Sequence, residues 1–186
     1  MKSKYVVIFL LASCLYLPLL AQEKVLFKSI NTVGLSDGEG GANFLMQSVN
    51  GLSLKKWFTG IGFGADYYGY TSYPLFLDAR RHFGNRKGFA YADLGYNISG
   101  KNKPGKEVYY YNSYHFSSGV YSDIGVGYTI KFTKGSSFIF CAGYSYKEIN
   151  NKVGITTECL VAPCPVDYST YKYGNGRVVL KAGVDF

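Results

Sequence analysis

Beyond its first twenty-odd residues this 186-residue chain has no apolar stretch long enough to span a membrane as a helix. It is also poor in Leu, Ala and Glu, the residues that favour helices, so a helical bundle is excluded. Acids are few, 12 Asp+Glu against 20 Lys+Arg, and charge makes up only 17% of the residues. Disordered chains are charge-rich and aromatic-poor, which this one is not. Only two His and four Cys occur. No P-loop, zinc motif or nucleophile elbow is present, so no metal or cofactor is expected. What the chain does have is 19 Tyr, 13 Phe and 23 Gly. Aromatic and glycine residues in that excess point to an all-β protein in a single domain.

The N-terminus reads as an address. Lys2 and Lys4 precede an apolar run from Tyr5 to Leu20 that is broken only by Ser13 and Pro18. The run is short for a spanning helix and ends at Ala21, which predicts a secretory signal over residues 1–21 and a mature domain over 22–186. Its loss lowers the net charge from +8 to +6. Leu11-Ala12-Ser13-Cys14 imitates a lipoprotein box. Cleavage there would leave the apolar Leu15–Leu20 on the mature chain, so lipidation of Cys14 is not expected.

Strand periodicity dominates the rest. Trp57, Ile61, Phe63, Ala65 and Tyr67 alternate with Gly60, Gly62, Gly64 and Asp66. Val120, Ile124, Val126, Tyr128, Ile130 and Phe132 alternate with Tyr121, Asp123, Gly125, Gly127, Thr129 and Lys131. Val178, Leu180, Ala182, Val184 and Phe186 alternate with Val179, Lys181, Gly183 and Asp185. Side chains switch face at every residue of a strand, so each segment has one apolar face and one face of glycine and charge. Eight such segments are predicted, near 25–34, 42–50, 55–68, 73–83, 88–98, 118–132, 136–148 and 176–186. The connections near 50–54, 84–87 and 133–135 are short. Those near 35–41, 69–72, 99–117 and 149–175 fall at the other end and include the two long ones. Short turns at one end and long loops at the other, joined by strands of this length, predict an eight-stranded antiparallel up-and-down transmembrane β-barrel. Trp57, Phe89, Phe132, Phe138 and Phe186 are assigned to the short-turn end, and Tyr67, Tyr68, Tyr70, Tyr73, Tyr96, Tyr144 and Tyr146 to the other. Trp57 and Tyr67 are separated by roughly 25 Å at ~3.3 Å per residue and ~40° tilt, the height of an outer-membrane apolar band.

With this signal, strand number and terminal Phe186, the chain resembles the small outer-membrane barrel proteins of Gram-negative bacteria. Within that group, Gly64-Ala65-Asp66-Tyr67-Tyr68-Gly69, Tyr73-Pro74-Leu75-Phe76-Leu77-Asp78-Ala79-Arg80 and Tyr91-Ala92-Asp93-Leu94-Gly95-Tyr96 are similar to the outer-membrane β-barrel domain of Bacteroidetes. The resemblance implies an integral outer-membrane location in contact with lipid and lipopolysaccharide. It also implies that the strand Arg177–Phe186 serves as the signal read by the barrel assembly machinery.

Candidate functional residues fall into three groups. Asp66, Asp78, Arg80, Asp93, Asp123, Lys131, Lys147, Lys181 and Asp185 share the inward parity. In a narrow lumen they should pair, because an unpaired buried charge is costly. The alternative is a narrow transport path. Cys159 and Cys164 in the last loop are expected to form a disulfide, since an exported chain permits one, and Cys141 is left unpaired inside. His115 and Ser117 lie two apart on one face, and a base beside a hydroxyl could activate it as a nucleophile. Outer-membrane lipid A deacylases resemble this arrangement, with a His-x-Ser pair and a Glu. Here Asp123 is the nearest acid of that parity, and the pair has the lumen parity rather than the lipid one. The leading expectation is a structural or surface-interaction role. Loops 99–117 and 149–175 are then the contact sites for an extracellular protein or ligand. Nucleic acid is excluded by the external location.

Overall fold

In the computed structural model the described residues are 25–69, 71–85, 87–100, 113–133, 135–156 and 166–186. They form β1 (Leu26–Gly38), β2 (Asn43–Leu54), β3 (Trp57–Asp66), β4 (Ser72–Phe83), β5 (Gly88–Ser99), β6 (Ser113–Ser117), β7 (Gly119–Lys131), β8 (Ser137–Thr156) and β9 (Val166–Asp185). All pairings are antiparallel, and β6 and β7 are one strand interrupted at Ser118, so the barrel has eight strands. It closes where β1 meets β9, from Ile30↔Asp185 to Gly38↔Arg177. Ser29 and Phe186 exchange backbone hydrogen bonds of 3.1 and 3.0 Å at the lower end of that seam. Closure leaves no unpaired sheet edge around the barrel body.

Burial alternates along the strands of the barrel body. β4 reads buried at Ser72, Pro74, Phe76, Asp78 and Arg80 and exposed at Tyr73, Leu75, Leu77, Ala79 and Arg81. The exposed parity is apolar at mid-height, where Ile61, Leu77, Leu94, Ile124 and Leu180 are each at least 60% exposed. Trp57, Phe83, Phe132, Phe138 and Phe186 surround the short-turn end of this belt. Phe44, Tyr67, Tyr73, Tyr96 and Tyr144 surround the long-loop end. A soluble barrel has the opposite arrangement, with charge outside and an apolar filling.

Several details differ from the periodicity. β2 continues to Leu54, and the first turn is only Lys55-Lys56, with Lys55 at φ 54°. β1 runs to Gly38, so the first loop at the other end begins at Glu39. The fourth loop, expected over 149–175, is largely a hairpin: β8 and β9 stay paired from Glu148↔Gly174 to Thr156↔Val166. That extension is roughly 30 Å of chain, flanked on one side by β6. The apolar alternation stops there because both faces of a projecting hairpin meet solvent, whereas backbone pairing continues without it.

Phe89 and Tyr68, assigned to the outer girdles, are buried in the lumen. Phe58, Phe76, Tyr91, Tyr121 and Ile139 join Phe89 there. The inward glycines are the counterpart of these rings. The Phe76 ring occupies the space a side chain at Gly62 would need, and the Phe89 ring does so at Gly127. Gly62→Val is therefore expected to lower the barrel's stability to urea by about 1–3 kcal/mol through overpacking. Adding Phe76→Ala should recover part of that loss, and the same loss in the single and double variants would refute the fit.

Candidate functional site

The charged face of the strands converges on the barrel axis in three tiers. In the lowest, β4 places Asp78 and Arg80 two residues apart and so on the same face. The Arg80 guanidinium grips the carboxylate with Nε donating at 3.0 and 2.9 Å and Nη2 at 2.7 Å. The rings of Phe58, Phe89 and Tyr91 surround it, with centroids 5.4–5.8 Å from Cζ. Charge-assisted bidentate pairing and ring faces together replace the water this cation has lost.

The middle tier crosses the lumen. Lys181 on β9 donates to Asp123 on β7 at 2.9 Å and to the Gln47 carbonyl on β2 at 3.1 Å. The Gln47 amide donates to the Tyr121 hydroxyl at 2.7 Å, and Tyr121 donates to Asp123 at 3.4 Å, which closes a ring of four side chains. Tyr91 donates to the other Asp123 oxygen at 3.0 Å. Asp93 lies 3.9 Å from Lys181, whose ammonium also sits 4.4 Å from the Tyr91 ring centroid.

The top tier centres on Asp66 at the end of β3. It accepts from both Nη atoms of Arg177 on β9, from the Tyr68 backbone N–H at 2.9 Å, and lies 3.5 Å from Lys147 of β8. Lys147 also donates to the Tyr68 carbonyl at 2.7 Å and to Ser72 at 3.1 Å. The chain turns inward after Asp66, which carries Tyr68 across the lumen. Its ring covers the Arg177 and Lys147 cations and its hydroxyl accepts the Gly40 N–H at 2.7 Å. Below all three tiers, Lys28 pairs with Asp185 at the short-turn mouth.

Asp66, Asp78, Arg80, Asp93, Asp123, Lys147, Lys181 and Asp185 are thus all buried, while Lys131 is exposed at the mouth. Sequence reasoning overlooked Arg177, although it precedes Lys181 on the same parity. It also overlooked Gln47, Tyr91 and Tyr121, the last two adjacent in parity to Asp93 and Asp123. Cys141 is a buried free thiol. Cys159, Cys164 and Tyr70 lie outside the described residues. The backbone of β6 sets His115 opposite Lys152 and Ser117 opposite Asn150. Asp123 is six residues further along, roughly 20 Å away, and is held by Lys181 and Tyr91.

Among solved structures the chain is similar to the N-terminal β-barrel domain of Pseudomonas aeruginosa OprF, at a TM-score of 0.50 and 16% identity, over 86% of this chain and 97% of that one. It is also similar to the outer membrane protein OprG of P. aeruginosa, at 0.49 and 11%, covering 86% and 93%. The outer membrane protein AlkL in DMPC bilayers gives 0.48 and 11%, covering 89% and 90%. The OprF likeness bears out the eight-stranded barrel as a fold. No protein-family model and no curated protein matches the chain, so the narrower resemblance to the Bacteroidetes barrel domain is not supported.

Removing one partner of a buried pair leaves the other charged without water, at a cost of about 3–5 kcal/mol. Asp78→Ala should cost that much in urea unfolding. Asp78→Leu with Arg80→Met should lie much nearer the parent protein. A double variant as unstable as the single one would refute the pairing.

Proposed function

We propose that this chain is an integral outer-membrane β-barrel with a non-enzymatic structural or surface-interaction role, exported by the signal at residues 1–21. The observation that carries this is the inverted distribution of polarity: an apolar belt bounded by aromatic rings outside, and paired charge inside. Lipid is the solvent that makes such a belt favourable, and a closed barrel is one of the two folds that satisfies its backbone there. The aromatic rings then mark the two interfaces, in contact with lipid below and lipopolysaccharide above. The terminal strand ending at Phe186 is the segment offered to the assembly machinery.

The contact sites are the loop over 99–117 and the β8–β9 hairpin. Tyr168, Tyr171 and Tyr173 stand exposed on β9 beyond the barrel rim. Tyrosine presents a large amphipathic surface at low entropic cost, which suits recognition of an extracellular protein or ligand. A disulfide between Cys159 and Cys164 would hold the tip of this hairpin.

Transport through the lumen is the second reading, since paired charges could line an ion path. The three tiers, bridged from β2 to β7 and from β3 to β9, favour a plug. Planar-bilayer recordings of the purified barrel are expected to show no steady single-channel conductance, and a reproducible unitary step would reverse that preference.

The membrane assignment is tested by gel mobility of the outer-membrane fraction before and after boiling. The unboiled protein should run as a compact, faster band. A protein found soluble in the periplasm, with no shift, would overturn the assignment. Orientation is tested on intact cells with a membrane-impermeant maleimide, against the parent protein as background. Tyr171→Cys should react and Lys56→Cys should not. The reverse pattern would place the hairpin inside.

A further inference from the structure

The outer belt of the barrel is not apolar all the way round. On β1 and β2 the outward parity carries Ser29, Asn31, Ser48 and Asn50 where the other strands carry aliphatic residues. Register makes these four one patch: Asn31 pairs with Ser48 across the strands, and Ser29 pairs with Asn50. Elsewhere between the two aromatic girdles, the described outward residues are apolar or aromatic apart from the hydroxyls of Thr59 and Ser122.

Depth makes the patch unusual. Asn31 stands four residues along β1 from Phe27, which is exposed at the short-turn end. That is roughly 10 Å along the barrel axis at ~3.3 Å per residue and ~40° tilt, well inside an apolar band of ~25 Å. Asn50 is likewise four residues along β2 from Leu54, the cross-strand partner of Trp57. Unlike Lys or Arg, Asn and Ser have no long stem with which to reach the headgroups. Asn31 donates to Ser29 at 3.3 Å, but the Ser48 and Asn50 side chains have no hydrogen bond among the described residues. A polar group left without a partner in hydrocarbon is costly.

Shape and symmetry indicate what could cover it. A groove of about 640 Å³ runs along the outer wall here, lined by Asn31, Val33, Ser48, Ala65 and Ala182. Small side chains at Ala65 and Ala182 leave room for another surface to approach closely. A second copy inserted the same way up is related to the first by a two-fold axis along the membrane normal. Each residue then meets residues at its own height. Asn31 and Asn50 lie at similar height above one girdle, and an amide both donates and accepts. The patch is therefore complementary to itself, as a patch of one charge would not be.

We propose that the outer face of β1 and β2 is a homodimer interface within the membrane, in which Asn31 and Asn50 of one copy hydrogen-bond to the same pair in the other. The inference rests on the membrane reading above. Lipid is as apolar as the belt, so polar side chains decide which face associates.

The test begins with the full chain in its outer-membrane fraction. Asn31→Cys and Asn50→Cys, alone and co-expressed, are oxidised beside the parent protein and Leu94→Cys. Leu94 faces outward on β5, away from the patch, and is 66% exposed. The Asn variants should give a reducible band at twice the mass, and Leu94→Cys only the parent background. Mature barrels labelled with donor or acceptor dye are then mixed in zwitterionic micelles, where energy transfer reports the dimer dissociation constant. Asn31→Leu with Asn50→Leu should weaken it about tenfold, equivalent to roughly 1.4 kcal/mol, without lowering the midpoint of the heat-induced band shift. Unchanged association in that double variant would overturn the interface. So would a cross-link to a protein of another mass, or no cross-link from a barrel that fractionates with the outer membrane and shifts on heating. Those results leave the membrane assignment standing, whereas a chain found soluble in the periplasm overturns both.

Discussion

The seam between β1 and β9 is the contact on which the other features depend. Until Ile30 pairs with Asp185 and Gly38 with Arg177, the sheet has two open edges, and neither an inside nor an outside is defined. Once it closes, strand alternation becomes a radial sorting of side chains. The parity carrying Leu77, Ile124 and Leu180 faces outward, and the parity carrying Asp78, Asp123 and Lys181 is forced into a cylinder barely wide enough for side chains. In that space each carboxylate must find a cation, because water to solvate it is scarce.

The described lumen meets this demand with balanced charge. Asp66, Asp78, Asp93, Asp123 and Asp185 are met by Arg80, Lys147, Arg177, Lys181 and the half-buried Lys28. Such pairs add little net stability over an apolar filling of the same shape, because desolvation offsets much of their attraction. What they add is geometry. Gln47 reaches Tyr121, and Lys181 reaches both Gln47 and Asp123, so strands on opposite sides of the barrel are tied through its centre. Glycines across from Phe76 and Phe89 make room for the rings that pack between these ties.

The two ends of the cylinder differ in kind. At one, Tyr68 covers Arg177 and Lys147, and β8 and β9 continue as a paired hairpin bearing exposed tyrosines. At the other, tight basic turns surround an open vestibule. The two mouths are thus elaborated differently, while charged and aromatic side chains meet across the middle.

The alternation of apolar residues with glycine and charge determined, by itself, that the chain is an eight-stranded barrel, and it located six strands to within a few residues at most ends. It did so because period-two patterning persists wherever a strand separates two environments. The same logic failed at β8 and β9, where the projecting hairpin has solvent on both faces and backbone pairing leaves no hydrophobic trace. Parity also indicated which charges share the lumen. It could not indicate that Arg80 belongs to Asp78, that Arg177 belongs to Asp66, or that Tyr68 and Phe89 turn inward. Those outcomes depend on which strands lie opposite one another and at what height, quantities set by register and closure. They join residues such as Gln47 and Tyr121, 74 positions apart in the chain, and only the closed barrel brings these together.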